Sequence, residues 1–220
     1  MEISLSVKRE RGLTLIEVLI VIVVVVFIAA LYVLPPLAHS EVRPLRIQCV
    51  NNLKQCGLAT RVWEGDNGDK YPPQVSVTNG GSMELTTGPN AWRTFQVMSN
   101  ELSTPKVVIC PADSRSAATN FTAFYNSNVS FFVGVDANEA NAAGMLYGDH
   151  NITNGMPIRN GILTLTTNRP SGWTSDIHNK AGNIALADGS VQMLSSAGLQ
   201  AIVAHTGMQT NRLLMPILGP

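Results

Sequence analysis

Residues 8–34 read KRERGLTLIEVLIVIVVVVFIAALYVL, and this stretch decides how the rest of the chain is organised. Within residues 13–34, a run of 22, only Thr14 and Glu17 are polar. A helix of that length would be roughly 33 Å long, which matches a bilayer hydrocarbon core of about 30 Å. Three of the four residues 8–11 are cationic, and cations at this end keep the N-terminus in the cytoplasm. The stretch therefore predicts a transmembrane helix over residues 13–34.

Glu17 does not suit a plain anchor, because it lies one turn inside the apolar run. A carboxylate within a bilayer costs about 2.5–3.5 kcal/mol on insertion scales, so an acid there indicates a function and a partner. The alternative is a glutamate that reaches back to the membrane surface. Position alone does not decide between these two interpretations.

The residues around Glu17 resemble the type IV prepilin signal. Arg11 and Gly12 precede the apolar Leu13, and Glu17 follows the glycine by five residues. In that family a prepilin peptidase cuts after the glycine, and the new N-terminal amine is methylated. The resemblance implies cleavage between Gly12 and Leu13, methylation of Leu13, and a role for Glu17 in assembly. Leu13 stands where the family most often has Phe, which is also apolar.

Electrostatics agrees with this resemblance. After cleavage, Leu13 would carry an ammonium group in apolar surroundings, where Glu17 of a neighbouring subunit could pair with it, and methylation keeps the charge. Removing one partner of a buried ion pair costs about 3–5 kcal/mol. Such a pair would act as a check on the register of assembly.

The composition excludes several classes of protein. The 15 basic and 15 acidic residues of the 220-residue chain cancel, so no basic surface for nucleic acid is expected. A secretory signal peptide is cut after its apolar core, whereas the cut expected here precedes the run, leaving the run in the mature protein. About 180 residues follow the run, enough for one domain with its own core, which should face the periplasm or the outside.

Residues 35–64 predict an amphipathic helix that continues into the domain. Pro35 and Pro36 are expected to end or kink the membrane helix. Beyond them, candidate core residues recur at spacings of three and four, a pattern typical of a helix with one face on a domain: Leu45, Cys49, Leu53, Cys56, Thr60 and Trp63.

Residues 65–220 predict a β-rich domain. Short helices are expected near 90–98 and 196–204, and the tail is expected to pack down or contact a neighbouring subunit. Apolar runs predict strands near 107–110, 121–125, 129–135, 161–166, 183–187 and 190–194. The last two runs flank Asp188-Gly189, which predicts a type I′ hairpin turn. The predicted fold is α+β and pilin-like, with a long N-terminal helix, half transmembrane and half amphipathic, packed on an antiparallel sheet.

The three cysteines are Cys49, Cys56 and Cys110. In an oxidising compartment an odd number indicates one disulfide and one free thiol. Cys49 and Cys56 lie two helical turns apart, about 10.5 Å, which is too far to bridge. A disulfide would therefore join Cys110 to one of them, and three buried thiols are the alternative.

A second resemblance covers the domain. His178, nine residues and then Asp188-Gly189 resemble the H-x9-DG motif of a bacterial group of prepilin-like proteins, as do the segments that begin at Cys49 and Cys110. Because Cys49 and Cys110 both fall in the resembling segments, their pairing is the preferred disulfide. For His178, Asp188 and Gly189 a structural role is expected, with the aspartate serving the turn.

No catalytic or metal site is predicted, and the protein is not expected to be an enzyme. Asp149, His150 and Asp176 are, with His178 and Asp188, the residues to consider first. Major pseudopilins hold calcium near C-terminal loops, but calcium prefers oxygen ligands, so His178 suits it poorly. A nucleophilic Cys110–His178 pair is disfavoured, because Cys110 lies in an apolar run typical of a buried structural cysteine.

Two functions follow from these patterns. The first is a structural subunit of a type II secretion pseudopilus or a type IV pilus-like filament, processed by prepilin peptidase and assembled with other pilin-like subunits. It would cross the bacterial inner membrane once, with its C-terminal domain in the periplasm or in an extracellular filament. The second is a periplasmic binding or enzymatic domain that uses a pilin-type anchor. The first is favoured, because a tether needs neither cleavage nor an intramembrane acid.

Overall fold

The computed structural model of the protein describes residues 14–38 and 42–218, with side chains described at 14–29 and 44–218. The chain divides into two compact units, one up to residue 41 and one from residue 42. Among the described residues, no helix is long and apolar enough to cross a membrane.

The first unit contains helix α1, Leu15–Ala38. The helix includes Pro35 and Pro36 and ends two residues later, so the end expected at the prolines falls slightly beyond them. Every described side chain from Thr14 to Ala29 is exposed, and the large apolar ones are 45–84% exposed. Among the residues that the structure describes in this unit, none covers these apolar side chains.

The second unit opens with helix α2, Val42–Asp66. Five of the six residues predicted to form its inner face are buried, namely Cys49, Leu53, Cys56, Thr60 and Trp63. Leu45, the sixth, is 37% exposed. The amphipathic pattern therefore identified the packed face correctly from Cys49 onward.

The domain contains a six-stranded sheet, whose strands are β1 Phe131–Gly134, β2 Met145–Asp149, β4 Ile162–Leu165, β6 Ala181–Leu186, β7 Val191–Ser195 and β8 Asn211–Leu214. Their order across the sheet is β4-β8-β1-β2-β6-β7, and all neighbouring strands pair antiparallel. Two short strands, β3 Ile152–Thr153 and β5 Gly172–Trp173, form a separate ribbon.

The sheet separates two apolar cores. One core lies against α2 and the short helices α3, Ala91–Val97, and α4, Ser99–Leu102; the other lies against α5, Ser196–His205. Alternate residues of a strand face opposite cores, as with Phe131 and Phe132. A bulge in β2 breaks this alternation, so that Leu146 and Tyr147 both join the α2 side.

The predicted α+β class with an N-terminal helix and an antiparallel sheet is confirmed. Helices α2, α3 and α5 and strands β1, β4, β6 and β7 lie close to their predicted positions. The tail packs down as expected, since β8 inserts between β4 and β1 and Leu213–Met215 are buried.

Three local predictions are wrong. Residues 107–110 are not a strand, because Pro105 starts a 3-10 helix, Pro105–Val108, whose first turn Thr104 caps through Lys106 N. Residues 121–125 form bends and turns rather than a strand. The β6–β7 turn is not type I′, because only Gly189 (φ 85°) and not Asp188 has a positive φ.

Candidate functional site

The start of α1 places Glu17 in the first helical turn. The amide and the hydroxyl of Thr14 each donate a hydrogen bond of 2.8 Å to Glu17 Oε2. A glutamate at the third helical position that returns to the N-cap residue is half of a capping box, and its charge also suits the positive end of the helix dipole. Glu17 thus has a local partner in the single chain. Gly12 and Leu13, the predicted cleavage and methylation residues, lie outside the described residues.

A buried cluster of four side chains forms the most distinctive site of the domain. Its members are Cys49 of α2, Cys110 after the 3-10 helix, Asp149 at the end of β2, and His178 in the loop before β6. Their candidate ligand atoms all lie within 4.8 Å of one another. Both cysteines are 0% exposed, and the side chains of His178 and Asp149 are 1% and 0% exposed.

The contacts within this Cys–Cys–Asp–His cluster are short. Cys49 Sγ donates a hydrogen bond of 3.1 Å to Asp149 Oδ1. His178 Nε2 lies 3.3 Å from Cys110 Sγ and 3.5 Å from Asp149 Oδ2. One ring nitrogen therefore faces both the thiol and the carboxylate.

Two asparagines hold the cluster in place. The backbone amide and the Nδ2 of Asn183, in β6, each donate a 2.8 Å hydrogen bond to Asp149 Oδ2. Asn151 Nδ2 donates to the carbonyls of Thr174 (3.0 Å), Ile177 (2.8 Å) and Ala181 (3.1 Å), which brace the loop that carries His178.

That loop has an unusual backbone. His178, Asn179 and Lys180 have φ values of 54°, 50° and 62°, so three consecutive non-glycine residues are left-handed. Each such residue costs about 1–3 kcal/mol and persists only where the surroundings enforce it. The loop is therefore strained where it carries His178 into the cluster.

The electrostatics of the cluster separate the two cysteines. The polar contact with Cys49, followed by that with His178, outweighs burial and lowers the pKa of Cys110 below its ordinary value. Burial, as the largest effect, raises the pKa of Cys49 well above its ordinary value. Burial likewise raises the pKa of Asp149 to about 6.

A polar pair lies next to the cluster. His150 Nε2 is 2.9 Å from Asp113 Oδ2, and Arg115 Nε is 3.8 Å from the same oxygen. Asp113 belongs to the segment that begins at Cys110, and His150 follows Asp149 in the chain. The pair therefore fixes the two segments that supply Cys110 and Asp149.

One comparison with known proteins gives a match. A family model described as the prokaryotic N-terminal methylation motif matches residues 7–33. The chain carries a prepilin-type cleavage and methylation signal. The signal supports a pilin-like protein that is processed at its N-terminus. No curated protein and no solved structure matches the chain.

The structure separates the residues of the H-x9-DG motif. His178 joins the buried cluster, whereas the carboxylate of Asp188 accepts a 2.8 Å hydrogen bond from Ser190 N in the exposed turn. Gly189 takes the left-handed conformation that this turn requires. No hydrogen bond or ion pair joins His178 to Asp188 within the described part of the chain. The structural role expected for Asp188 stays a prediction that this geometry favours.

The expected Cys49–Cys110 disulfide stays a prediction, because the structure holds the three cysteines as free thiols. All three are buried and free in the structure, and Cys56 Sγ lies apart from the others, 3.6 Å from Val107 O. The sulfurs of Cys49 and Cys110, the preferred disulfide pair, share the cluster. The sequence marks Asp149 as a candidate but does not link it to the cysteines. Asp149 and the following His150 belong to no recognisable motif, so the sequence gives no sign that Asp149 lies beside the cysteines.

The cluster is poorly built for nucleophilic catalysis. A Cys–His–Asp triad needs one ring nitrogen on the nucleophile and the other on the carboxylate. In the structure Nε2 of His178 faces both groups, and all four side chains are closed off from solvent. The same convergence of two sulfurs, a nitrogen and an oxygen is, however, the arrangement of a set of metal ligands.

Proposed function

We propose that the protein is a structural subunit of a type II secretion pseudopilus or a type IV pilus-like filament. The observation that carries this proposal is the methylation motif at residues 7–33, which includes most of the apolar helix α1. We place the protein in the bacterial inner membrane before assembly, with the domain from residue 42 onward in the periplasm. Prepilin peptidase and other pilin-like subunits are its proposed partners.

The exposure of α1 supports this proposal. Its described side chains are all exposed, and they include an unbroken apolar series from Val18 to Ile28. Burying one such large side chain contributes about 1.5–3 kcal/mol, so a helix of this kind requires a cover. Lipid provides the cover before assembly, and the helices of neighbouring subunits provide it in a filament.

Glu17 has two candidate roles that the structure makes separable. Its bonds to Thr14 stabilise the start of α1, an effect of about 1 kcal/mol that a neutral glutamine can also supply. Pairing with the N-terminal ammonium of a neighbouring subunit, in contrast, needs the negative charge. We propose that the second role governs assembly.

No enzymatic activity is part of this proposal. The cluster that contains Cys110 and His178 is closed to solvent, and its histidine is not placed to relay a proton. We therefore propose a structural role for the domain. The alternative of a tethered binding or enzymatic domain is an outcome of the experiment below.

The experiment compares Glu17→Gln and Glu17→Leu with the wild type at matched membrane levels. Glutamine retains an oxygen that accepts the bonds from Thr14 but removes the charge, whereas leucine removes both. If the charge pairs with an ammonium, both variants should lose sheared filaments and periplasmic cross-linked ladders, because an unpaired buried charge costs about 3–5 kcal/mol.

Intact-mass measurement supplies the controls. Wild type and both variants should begin at a methylated Leu13, while Gly12→Leu should remain uncut and supply the unprocessed reference. Ladders of wild-type length from Glu17→Gln would contradict the charge-pairing role. An absence of filaments and ladders from the wild type itself, or an uncut wild-type chain in cells that contain the peptidase, would favour the tether instead.

A further inference from the structure

We infer that Cys49, Cys110, Asp149 and His178 form a closed, four-ligand zinc site that fastens helix α2 to the sheet. Two sulfurs, an imidazole nitrogen and a carboxylate oxygen converge within 4.8 Å, and all four side chains are almost completely buried. The inference does not depend on filament assembly, because it concerns the domain of a single chain.

The spacing of the donor atoms suits a tetrahedral ion. Zinc lies about 2.3 Å from cysteine sulfur and about 2.0–2.2 Å from histidine nitrogen or carboxylate oxygen, so the edges of the tetrahedron are roughly 3.3–3.8 Å long. Two contacts lie near these lengths, 3.3 Å from Cys110 Sγ to His178 Nε2 and 3.5 Å from His178 Nε2 to Asp149 Oδ2. The other carboxylate oxygen, Asp149 Oδ1, lies 3.1 Å from Cys49 Sγ. All four donor atoms lie within 4.8 Å of one another, so side-chain movements of about 1 Å would bring them to tetrahedral spacing.

The donor set selects the metal. Thiolate and imidazole ligands favour zinc, whereas calcium and magnesium require oxygen ligands. Two thiolates, one carboxylate and a neutral imidazole around Zn²⁺ leave a net charge of −1, far less than three unpaired buried anions. Four protein ligands leave no open position, and such closed sites are structural rather than catalytic.

The surroundings of the ligands resemble the second layer of a metal site. Ligating carboxylates and histidines are usually oriented by hydrogen bonds from outer groups. Asn183 supplies two such bonds to Asp149, and Asn151 braces the loop of His178 through three carbonyls. A bound ion would also offset the strain at His178, where three consecutive residues are left-handed.

Two other uses of the cluster account for fewer of these features. A Cys49–Cys110 disulfide would use only the two sulfurs and would not explain why the polar side chains of His178 and Asp149 are buried beside them. A cysteine nucleophile would need solvent access and a different histidine geometry, as described above. Zinc alone uses all four side chains.

The site would connect segments that are far apart in the chain. Cys49 and Asp149 are 100 positions apart, and Cys110 and His178 are 68 apart. Because the unfolded chain does not bring these ligands together, the free energy of zinc binding would contribute to folding. A zinc ion would thus hold the base of α2 on β2 and on the loop before β6.

The experiment measures metal in the full-length protein, purified in detergent with a non-chelating reductant. Elemental analysis of the wild type should find about one zinc per chain. Exchange with Co²⁺ should give the intense visible bands of a tetrahedral ion together with thiolate-to-cobalt charge transfer. Cys49→Ser and Asp149→Asn should lose zinc to a chelator at concentrations at least tenfold lower than the wild type does. Cys56→Ser is the matched control, because Cys56 is equally buried but lies outside the cluster.

The wild-type measurements are decisive even if a ligand variant fails to fold. Reduced wild type that binds neither zinc nor cobalt would overturn the inference. So would a Cys49–Cys110 disulfide, found by non-reducing peptide mapping in metal-free protein from cells. Equal zinc retention by Cys49→Ser, Asp149→Asn and Cys56→Ser would show adventitious metal and would overturn it as well.

Discussion

Asn183→Ala tests how much the hydrogen bonds from Asn183 stabilise the Cys–Cys–Asp–His cluster. Asn183 is 0% exposed and lies within β6. Its Nδ2 donates a 2.8 Å hydrogen bond to Asp149 Oδ2, and its Oδ1 accepts a 3.2 Å bond from Arg46 Nε. The substitution removes both bonds but keeps the backbone amide that also donates to Asp149.

The expected loss of stability follows from those contacts. A hydrogen bond to a buried charged group contributes about 1.5–3 kcal/mol, and a neutral or partly exposed one about 0.5–1.5 kcal/mol. Arg46 retains its bond to the carbonyl of Gly182, which limits the second loss. The free energy of unfolding should fall by about 2–4 kcal/mol, which lowers Tm by roughly 4–16 °C in a domain of this size.

Thermal unfolding followed by tryptophan fluorescence measures this change, since Trp63 and Trp173 are buried in the domain. Asn79→Ala is the control, because Asn79 is exposed and its loss should change stability by less than about 0.5 kcal/mol. If the cluster holds zinc, Asn183→Ala should also weaken zinc binding by about 10–100-fold. A Tm for Asn183→Ala within 2 °C of the Asn79→Ala value would refute the stabilising role of the Asn183 side chain.

Two glycine substitutions should have opposite effects, and one carboxylate should govern acid stability. The new Cβ of Gly57→Ala in α2 meets no atom within 4 Å, so this change should raise the free energy of unfolding by about 0.5–1 kcal/mol. The new Cβ of Gly134→Ala would overlap the carbonyl oxygen of Met145, so this change should lower it by about 1–3 kcal/mol. Urea unfolding compares the two variants, and equal midpoints would contradict the close pairing of β1 with β2. Burial raises the pKa of Asp113, but its bond with His150 and the nearby positive charges outweigh burial, so the pKa lies below its ordinary value. The stabilisation from Asp113 is therefore present above pH 4 or so and is lost as the pH falls through the lowered pKa. Asp113→Asn should lower the free energy of unfolding at pH 7 and flatten its decline below about pH 4. An unchanged pH profile of stability would count against the ion pair of Asp113 and His150.

Helix α2 and the β6–β7 hairpin show which features can be predicted from patterns between residues that are close in the chain. The buried face of α2 follows from residues three and four positions apart, all within one helix, so no distant contact is needed to recognise it. The β6–β7 hairpin is local in the same way, since both strands flank Asp188 and Gly189. Its turn type was mispredicted, because Asp188 keeps a negative φ although its neighbour does not.

Strands without local signals could not be found in this way. β2 is buried along its whole length, and a bulge interrupts its alternation, so it shows no period of two. β8 has four residues near the C-terminus and is a strand because β1 and β4 pair with it from either side. Residues 107–110 show the opposite case. This apolar run predicts a strand, but its first two residues end the 3-10 helix that starts at Pro105 and is capped by Thr104.

The sequence by itself determined the N-terminal signal, because cleavage residue, acid and apolar run occupy one continuous stretch, 7–33. It also marked Cys49, Cys110 and His178 as residues of interest. Only the tertiary structure decided that these three meet Asp149, since the contact between Cys49 and Asp149 spans 100 positions and depends on α2 docking against β2. Contacts at that range are determined by the packing of whole elements, and no spacing along the chain encodes them.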